Sequence, residues 1–381
     1  MNARRKNSFL TAPLPAFDFG FFTLVLTLAL FGTVMIFSAG YAYAYARYDD
    51  GFYFIKKQAV WLFLGILIMI LTSRISPKMY EKITPSLYAM TLLLLILVLV
   101  VGFVGNGAKR WISIGPITIQ PSEIAKISII MMMSYYFSKN KKATKIKLHR
   151  GIFIYGTLFP ILIMLVPILL VMLQKHLSCI IILGCIGLCM IVASGVNLKY
   201  IYGFGAVGVG GIACLALFTD YTKERITVWR NPEAYKLTGG WQTLQGLMAI
   251  GSGGLFGVGF GKSVMKYCYV SEPANDMIFA ILCEELGFIG ALTALTLFFM
   301  LIIRGLIISI RCNDVFSRLV AFGISVKMGI QVLLNVAVVT NTIPNTGISL
   351  PFFSYGGSSL IMLFFEMGIL LSISRQAKIT K

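Results

Sequence analysis

Leu87-Tyr-Ala-Met-Thr-Leu-Leu-Leu-Leu-Ile-Leu-Val-Leu-Val-Val-Gly-Phe-Val-Gly105 holds nineteen residues and no formal charge. A helix crossing the hydrocarbon of a bilayer needs about 20 apolar residues, and in lipid a segment must satisfy its own backbone as a helix or in a closed barrel. A run this long and leucine-rich predicts a transmembrane helix. Similar runs lie at about Phe19–Gly40, Ala59–Leu71, Ile124–Phe137, Ile152–Leu173 and Leu177–Gly195, then Tyr200–Phe218, Ile278–Ile303, Leu319–Val339 and Ser359–Ile373. Ala59–Leu71 and Ile124–Phe137 are short and need flanking residues to cross. The expectation is an all-α, polytopic integral membrane protein with ten transmembrane helices, built as a single membrane domain over residues 1–381.

Composition agrees. The chain is 58% hydrophobic and 12% charged, where soluble domains run about 45–50% apolar and about 25% charged. That excludes a soluble enzyme, a disordered protein and a secreted disulfide scaffold. Its seven cysteines are odd in number and form no CxxC pair, which reads as small buried hydrophobes.

The net charge of +19 could signal nucleic acid or membrane topology, and its distribution decides. With the N-terminus in the cytoplasm, the inside segments hold Arg4, Arg5, Lys6, Arg74, Lys78, Lys82, Lys139, Lys141, Lys142, Lys145, Lys147 and Arg150, then Lys199, Arg304, Arg311, Arg318, Arg375, Lys378 and Lys381. That is 19 of 33 basic residues, against Glu81 and Asp314. The bias predicts both termini, including a tail at 1–18, on the cytoplasmic side. No basic domain remains for nucleic acid. Arg4–Lys6 and Ala42-Tyr43-Ala44 imitate a signal peptide, but the apolar run between them is too long, so the first span is expected to stay uncleaved.

In this topology residues 219–275, between the seventh and eighth spans, form a large extracytoplasmic loop. Loops beyond about 15 residues are usually functional or disordered, and Trp229, Tyr235, Trp241, Leu244, Leu247 and Met248 make this one too apolar for disorder. It is expected to lie along, or re-enter, the outer membrane face.

Four outer motifs could carry chemistry. In Asn106–Gly115, followed by Gln120–Lys126, Lys109 and Arg110 are fixed cations beside Trp111, suited either to a phosphate or to anchoring at the headgroups. Pro121 opens a helix on which Glu123 and Lys126 can pair. The stretch Ala249–Ser263 imitates a phosphate loop, but Phe256 stands where the first glycine is required, so its glycines instead predict close backbone approach or a re-entrant bend, with Lys262 and Lys266 adding charge. Asp276 precedes the eighth span, where it could cap the helix or serve as a general base. Asn341–Ser359, including Ser354, is a polar turn that either holds a ligand or shapes the chain. His149 and His176 have no partners at metal-ligand spacing.

These motifs, in this order on ten spans, resemble the SEDS family of FtsW, RodA and SpoVE, with Lys109-Arg110-Trp111-Ile112, Gln120–Lys126, Ala249–Gly261 and Pro351–Ser359 the specific stretches. Trp241-Gln242 and the Asn275-Asp276 and Glu284-Glu285-Leu-Gly segments are closer to the FtsW/SpoVE type. The resemblance implies a peptidoglycan glycosyltransferase of the bacterial cytoplasmic membrane, polymerising lipid II at the outer face. It places the essential aspartate at Asp276 and assigns Lys109, Arg110 and Trp111 to the outer cleft. Gln242, Lys262, Lys266 and Ser354 join the substrate-binding candidates. Implied partners are lipid II, a class B penicillin-binding protein and other divisome or elongation membrane proteins. A divalent cation, magnesium or manganese, is compatible with the pyrophosphate, but no ligand cage is visible and no organic cofactor is implied.

The chain departs from the pattern at Val270-Ser271-Glu272, at Met277, and at Gln174-Lys175-His176-Leu177-Ser178, where an aspartate is usual. Without that aspartate, Lys126 is expected to pair with Glu123. The alternatives of another class are a lipid II transporter, with Lys126, Lys327 and Glu366 lining its pathway, and a non-catalytic scaffold for the synthase.

Overall fold

Asp18 opens the first helix, α1 (Phe19–Tyr48): its carboxylate accepts the Phe21 amide at 3.0 Å and grips Arg304 through Nε and Nη2, each at 3.1 Å. The computed structural model describes residues 18–105, 108–115, 117–140, 152–195 and 220–377. After α1 come α2 (Tyr53–Ser73), α3 (Pro77–Val101), α4 (Pro121–Lys139), α5 (Phe159–Leu173, entered through a π-helical turn at Ile152–Leu158) and α6 (Leu177–Ala193). The remainder is α7 (Asp220–Arg230), α8 (Trp241–Gly253), α9 (Ile278–Arg311), α10 (Val315–Val339) and α11 (Gly357–Ser374).

Seven of these are long and apolar enough to cross a membrane: α1, α2, α3, the helix ending at Leu173, α9, α10 and α11. α6 is apolar but shorter. α4 carries Glu123, Lys126 and Lys139 and is buried on most of its surface, so it needs no apolar coat toward lipid. The expected seventh span at 200–218, the tail before Asp18 and the basic run 141–150 lie outside the described residues.

The all-helical expectation needs one correction. α3 stops at Val101, because Gly102 turns the backbone to an extended ψ of 142°. Three short antiparallel strands follow: β1 (Phe103–Gly105), β2 (Ala108–Ile114) and β3 (Ile117–Ile119), in the order β1-β2-β3. Trp111 pairs with Phe103 and Ile112 with Ile119. β-Branched and aromatic residues favour this pleat, and it fixes Lys109, Arg110 and Trp111 on a strand rather than in a mobile loop.

Ion pairs lie inside the bundle. Lys126 Nζ meets Glu123 at 2.7 Å, the partner expected from the missing aspartate. Lys327 Nζ meets Glu366 at 2.6 Å. Each charge is neutralised where desolvation is most costly.

Candidate active site

Asp276 stands just before α9, but it does not cap that helix. Met277 occupies the N-cap position without a side-chain bond, so the capping alternative falls away. Instead both carboxylate oxygens of Asp276 face Nε2 of Gln242 at 3.4 Å. Gln242 sits in the first turn of α8 and is itself oriented, its Oε1 accepting Asn345 Nδ2 at 3.1 Å. Asn345 Oδ1 accepts the Gly347 amide at 3.1 Å, and its carbonyl accepts Arg225 Nη1 from α7. A Cβ on Gly347 would lie 3.7 Å from Asp276 Oδ2, so that glycine keeps the approach to the carboxylate open.

The backbone beneath Asp276 is pinned by side chains. Asn335 of α10 donates to the Asp276 carbonyl at 2.9 Å and to the Ile348 carbonyl at 2.7 Å. Ser354 donates to the Asn275 carbonyl and accepts the Leu350 amide, both at 2.7 Å. Ser354 is 6% exposed, so it joins two loops rather than facing a ligand, which corrects its assignment to substrate binding. It also lines a cavity of about 20 Å³ together with Glu123, Lys327 and Gln331, room for about one water.

Burial raises the Asp276 carboxyl from 3.8 to about 6, and repulsion from Glu272 adds to the shift. The Gln242 hydrogen bond and the attraction of Arg225 oppose it weakly. The result is a carboxylate still largely ionised at neutral pH but more basic than an ordinary aspartate, as proton abstraction requires.

The cations divide. Lys109 is exposed on β2 and Lys262 is exposed in the glycine-rich turn. Arg110 reaches the turn between α5 and α6, donating Nη2 to the Lys175 carbonyl at 2.5 Å and Nε to the Gln174 carbonyl at 3.5 Å. From that turn Ser178 donates to the Thr346 carbonyl. β2 is thereby linked to the loop opposite Asp276, with Trp111 half-buried beside Arg110. Burial and Arg110 push the His176 imidazole down to about 3, so the position usual for an aspartate carries a neutral group.

Lys266 is a second correction. It is 3% exposed, and its Nζ meets Glu285 at 2.9 Å, the Gly261 carbonyl at 2.7 Å and Ser38 Oγ at 3.2 Å. Its charge is consumed inside the protein and does not face the cleft. Arg225 and Asn345 are the converse, residues at the site that sequence patterning did not single out. Asn345 lay within a polar turn flagged only as a whole, and one arginine in a long loop carries no periodic signal.

Comparison with known proteins places this arrangement. A family model described as cell cycle protein, covering FtsW, RodA and SpoVE, matches residues 19–379. The probable peptidoglycan glycosyltransferase FtsW of Geobacter metallireducens is 36% identical over 366 residues, 95% of this chain and 96% of its own. Stage V sporulation protein E of Bacillus subtilis is 38% identical over 361 residues, 93% of this chain and 96% of its own. A chain of a peptidoglycan synthase complex that coordinates polymerization and crosslinking superposes with a TM-score of 0.78 at 27% identity, covering 96% of this chain and 99% of that one. The rod shape determining protein RodA of Thermus thermophilus gives 0.70 at 28% identity, covering 95% and 98%. With the match running through every span and outer motif described above, the chain belongs to the FtsW/RodA/SpoVE family of multi-pass membrane proteins.

Proposed function

We propose that this chain is a peptidoglycan glycosyltransferase that polymerises lipid II at the outer face of the bacterial cytoplasmic membrane, in division or sporulation. The supporting observation is Asp276: a partly enclosed carboxylate raised to about 6, oriented by one amide and left approachable past Gly347. The protein crosses the membrane ten times with both termini in the cytoplasm, which puts Asp276 outside.

In the proposed step Asp276 removes the proton of the acceptor 4-hydroxyl as that oxygen attacks the anomeric carbon of the donor. The bond to the lipid pyrophosphate breaks from the opposite side, inverting the anomeric centre. Exposed Lys109 and Lys262 stabilise the departing charge. Arg110, Trp111 and Gln242 shape the cleft, Arg110 through the 174–178 turn and Gln242 through the carboxylate itself. A magnesium or manganese ion is compatible with a pyrophosphate leaving group, for which it would supply charge neutralisation. A cage made of protein alone does not fit, since the described residues contain no cluster of three or more His, Cys, Asp or Glu able to hold a metal. The partner is a class B penicillin-binding protein, within a larger divisome or elongation assembly.

A transporter draws less support. Lys126, Lys327 and Glu366, the candidates for a pathway, are locked in buried pairs that account for their presence at depth. The test is Asp276→Asn, purified with the partner and supplied with lipid II. Polymer formation should fall by about 10²–10⁴-fold, the contribution of a general base, in a protein that keeps its elution profile and unfolds no earlier than the parent. Undiminished polymerisation would remove the base from the mechanism and leave the scaffold alternative.

A further inference from the structure

Residues 241–276 form a helix-in, coil-out hairpin whose two limbs both end at Asp276. α8 starts at Trp241, with Gln242 in its first turn, and runs alongside α9 in the same direction. A Cβ on Gly246 would meet Met277, one on Gly253 the Cys283 carbonyl, and one on Gly257 the Glu285 carbonyl. The chain turns at 254–261 and returns past the same residues: Ser263 Oγ lies 2.5 Å from Glu284, the Val264 amide 2.9 Å from it, and Lys266 reaches Glu285. Trp241 Nε1 ties the mouth of the hairpin by donating to the Tyr269 carbonyl at 2.8 Å.

The tip is fastened to a break in α9. Gly287 has φ 65° and ψ −166°, outside the helical region. The groups freed there are taken up by the tip: Val258 N to Glu284 O at 2.9 Å, Gly259 N to Glu285 O at 3.0 Å, Phe288 N to Gly254 O at 2.9 Å and Ile289 N to Leu255 O at 3.2 Å. Irregular backbone at membrane depth is tolerated only when satisfied in this way.

Depth follows from α9. From Phe288 to Ile303, just before Arg304, the helix carries no charge over 16 residues, about 24 Å at 1.5 Å per residue. A hydrocarbon core of about 30 Å therefore reaches back over about four more residues, the level of Glu284–Gly287 and of the tip. The hairpin suits that level. Residues 241–261 contain no charged side chain, Glu284 and Glu285 are enclosed, and Leu255, Phe256 and Phe260 are 63%, 79% and 48% exposed. They continue the outward-facing surface of Phe288, Ile289 and Leu292. Exposed Lys262 follows at once and ends the uncharged stretch.

We infer that the tip at Leu255–Phe260 is a re-entrant wedge in direct contact with the acyl chains of the bilayer. Its occupant is lipid rather than a protein partner, because the apolar tip is continuous with the lipid-facing band of α9 at the same depth. Since one limb supplies Gln242 and the other leads to Asp276, the wedge sets the height of the carboxylate relative to the membrane surface.

The test uses the full chain, without a partner, in vesicles of phosphatidylcholine and phosphatidylglycerol. In a background with native cysteines replaced by alanine, spin labels are attached to Phe256→Cys and Phe260→Cys, with Ile289→Cys as the lipid reference and Lys236→Cys as the aqueous one. The collision ratio of oxygen to a water-soluble nickel chelate should match Ile289→Cys at both tip positions and exceed Lys236→Cys several-fold. In parallel, unmodified protein is irradiated with a phospholipid carrying a photoreactive acyl chain, and peptides covering 254–261 should be labelled along with 288–303. A tip ratio equal to that of Lys236→Cys, shielding from both reagents as under a second protein, or labelling of 288–303 alone would overturn the inference.

Discussion

Asp276 and Glu285 lie nine residues apart at the outer end of α9, and the protein treats them oppositely. Glu285 is wholly enclosed and saturated, with Ser38 Oγ at 2.6 and 2.7 Å and Lys266 Nζ at 2.9 Å. Asp276 receives one amide, at 3.4 Å, and sits close enough to Glu272 to be repelled by it. Hydrogen bonds to a charged carboxylate are strongest when short and direct. Glu285 thus has its oxygens met by short, direct partners, whereas Asp276 is left with an incomplete shell and a raised affinity for a proton. The first arrangement builds structure. The second suits the proposed chemistry, and the contrast separates two enclosed carboxylates by their partners rather than by burial.

The sharpest way to break the contrast is to damage the saturated member. Glu285→Ala leaves Lys266 buried without its counter-charge and should cost about 3–5 kcal/mol, read as lost thermal stability or failure to accumulate in the membrane. The double variant Lys266→Met with Glu285→Leu should recover most of that loss and also polymerise lipid II. An inactive but stable double variant would return Lys266 to the substrate site. A smaller loss is expected from Gly287→Ala. Its left-handed φ is strained for any residue with a Cβ, costing about 1–3 kcal/mol, and the new methyl would meet the Gly257 amide and approach the Leu255 carbonyl at 2.6 Å. Thermal unfolding of that variant measures how much the hairpin depends on the break in α9.

The two carboxylates also mark how far sequence could go. Long apolar runs and the basic loops gave the membrane class and most helices, because hydropathy is a local property. Lys126 pairing with Glu123 was legible because i,i+3 spacing on a helix fixes proximity. Lys266 was not: nothing local shows that the chain doubles back after Gly261 and brings Lys266 to a carboxylate nineteen positions on, with Ser38 from α1 alongside. Ser354 misled for the same reason, its hydroxyl being engaged by Asn275 and Leu350 across the fold. The β1 strand was hidden at the end of an apolar run, Leu87–Gly105, that reads as helix throughout.

Asp276 itself offers the gentlest tests. A carboxyl raised from 3.8 to about 6 favours the protonated form in the folded state, so its contribution to stability is fully present below pH 3.8 and is lost as pH rises through about 6. Asp276→Asn, neutral at every pH, should therefore unfold later than the parent at pH 8, by about 1–2 kcal/mol after allowance for partial exposure, and match it near pH 4. In the proposed mechanism catalysis runs the other way, rising with pH through about 6 as Asp276 ionises. Gln242→Leu removes the amide that steadies the anion, so its pH–rate midpoint should move upward, by under one unit given the 3.4 Å contacts, with little change in the plateau rate. A downward shift would mean that Gln242 favours the acid form, and an unmoved midpoint with a lowered plateau would place its role in substrate orientation rather than in tuning the carboxylate.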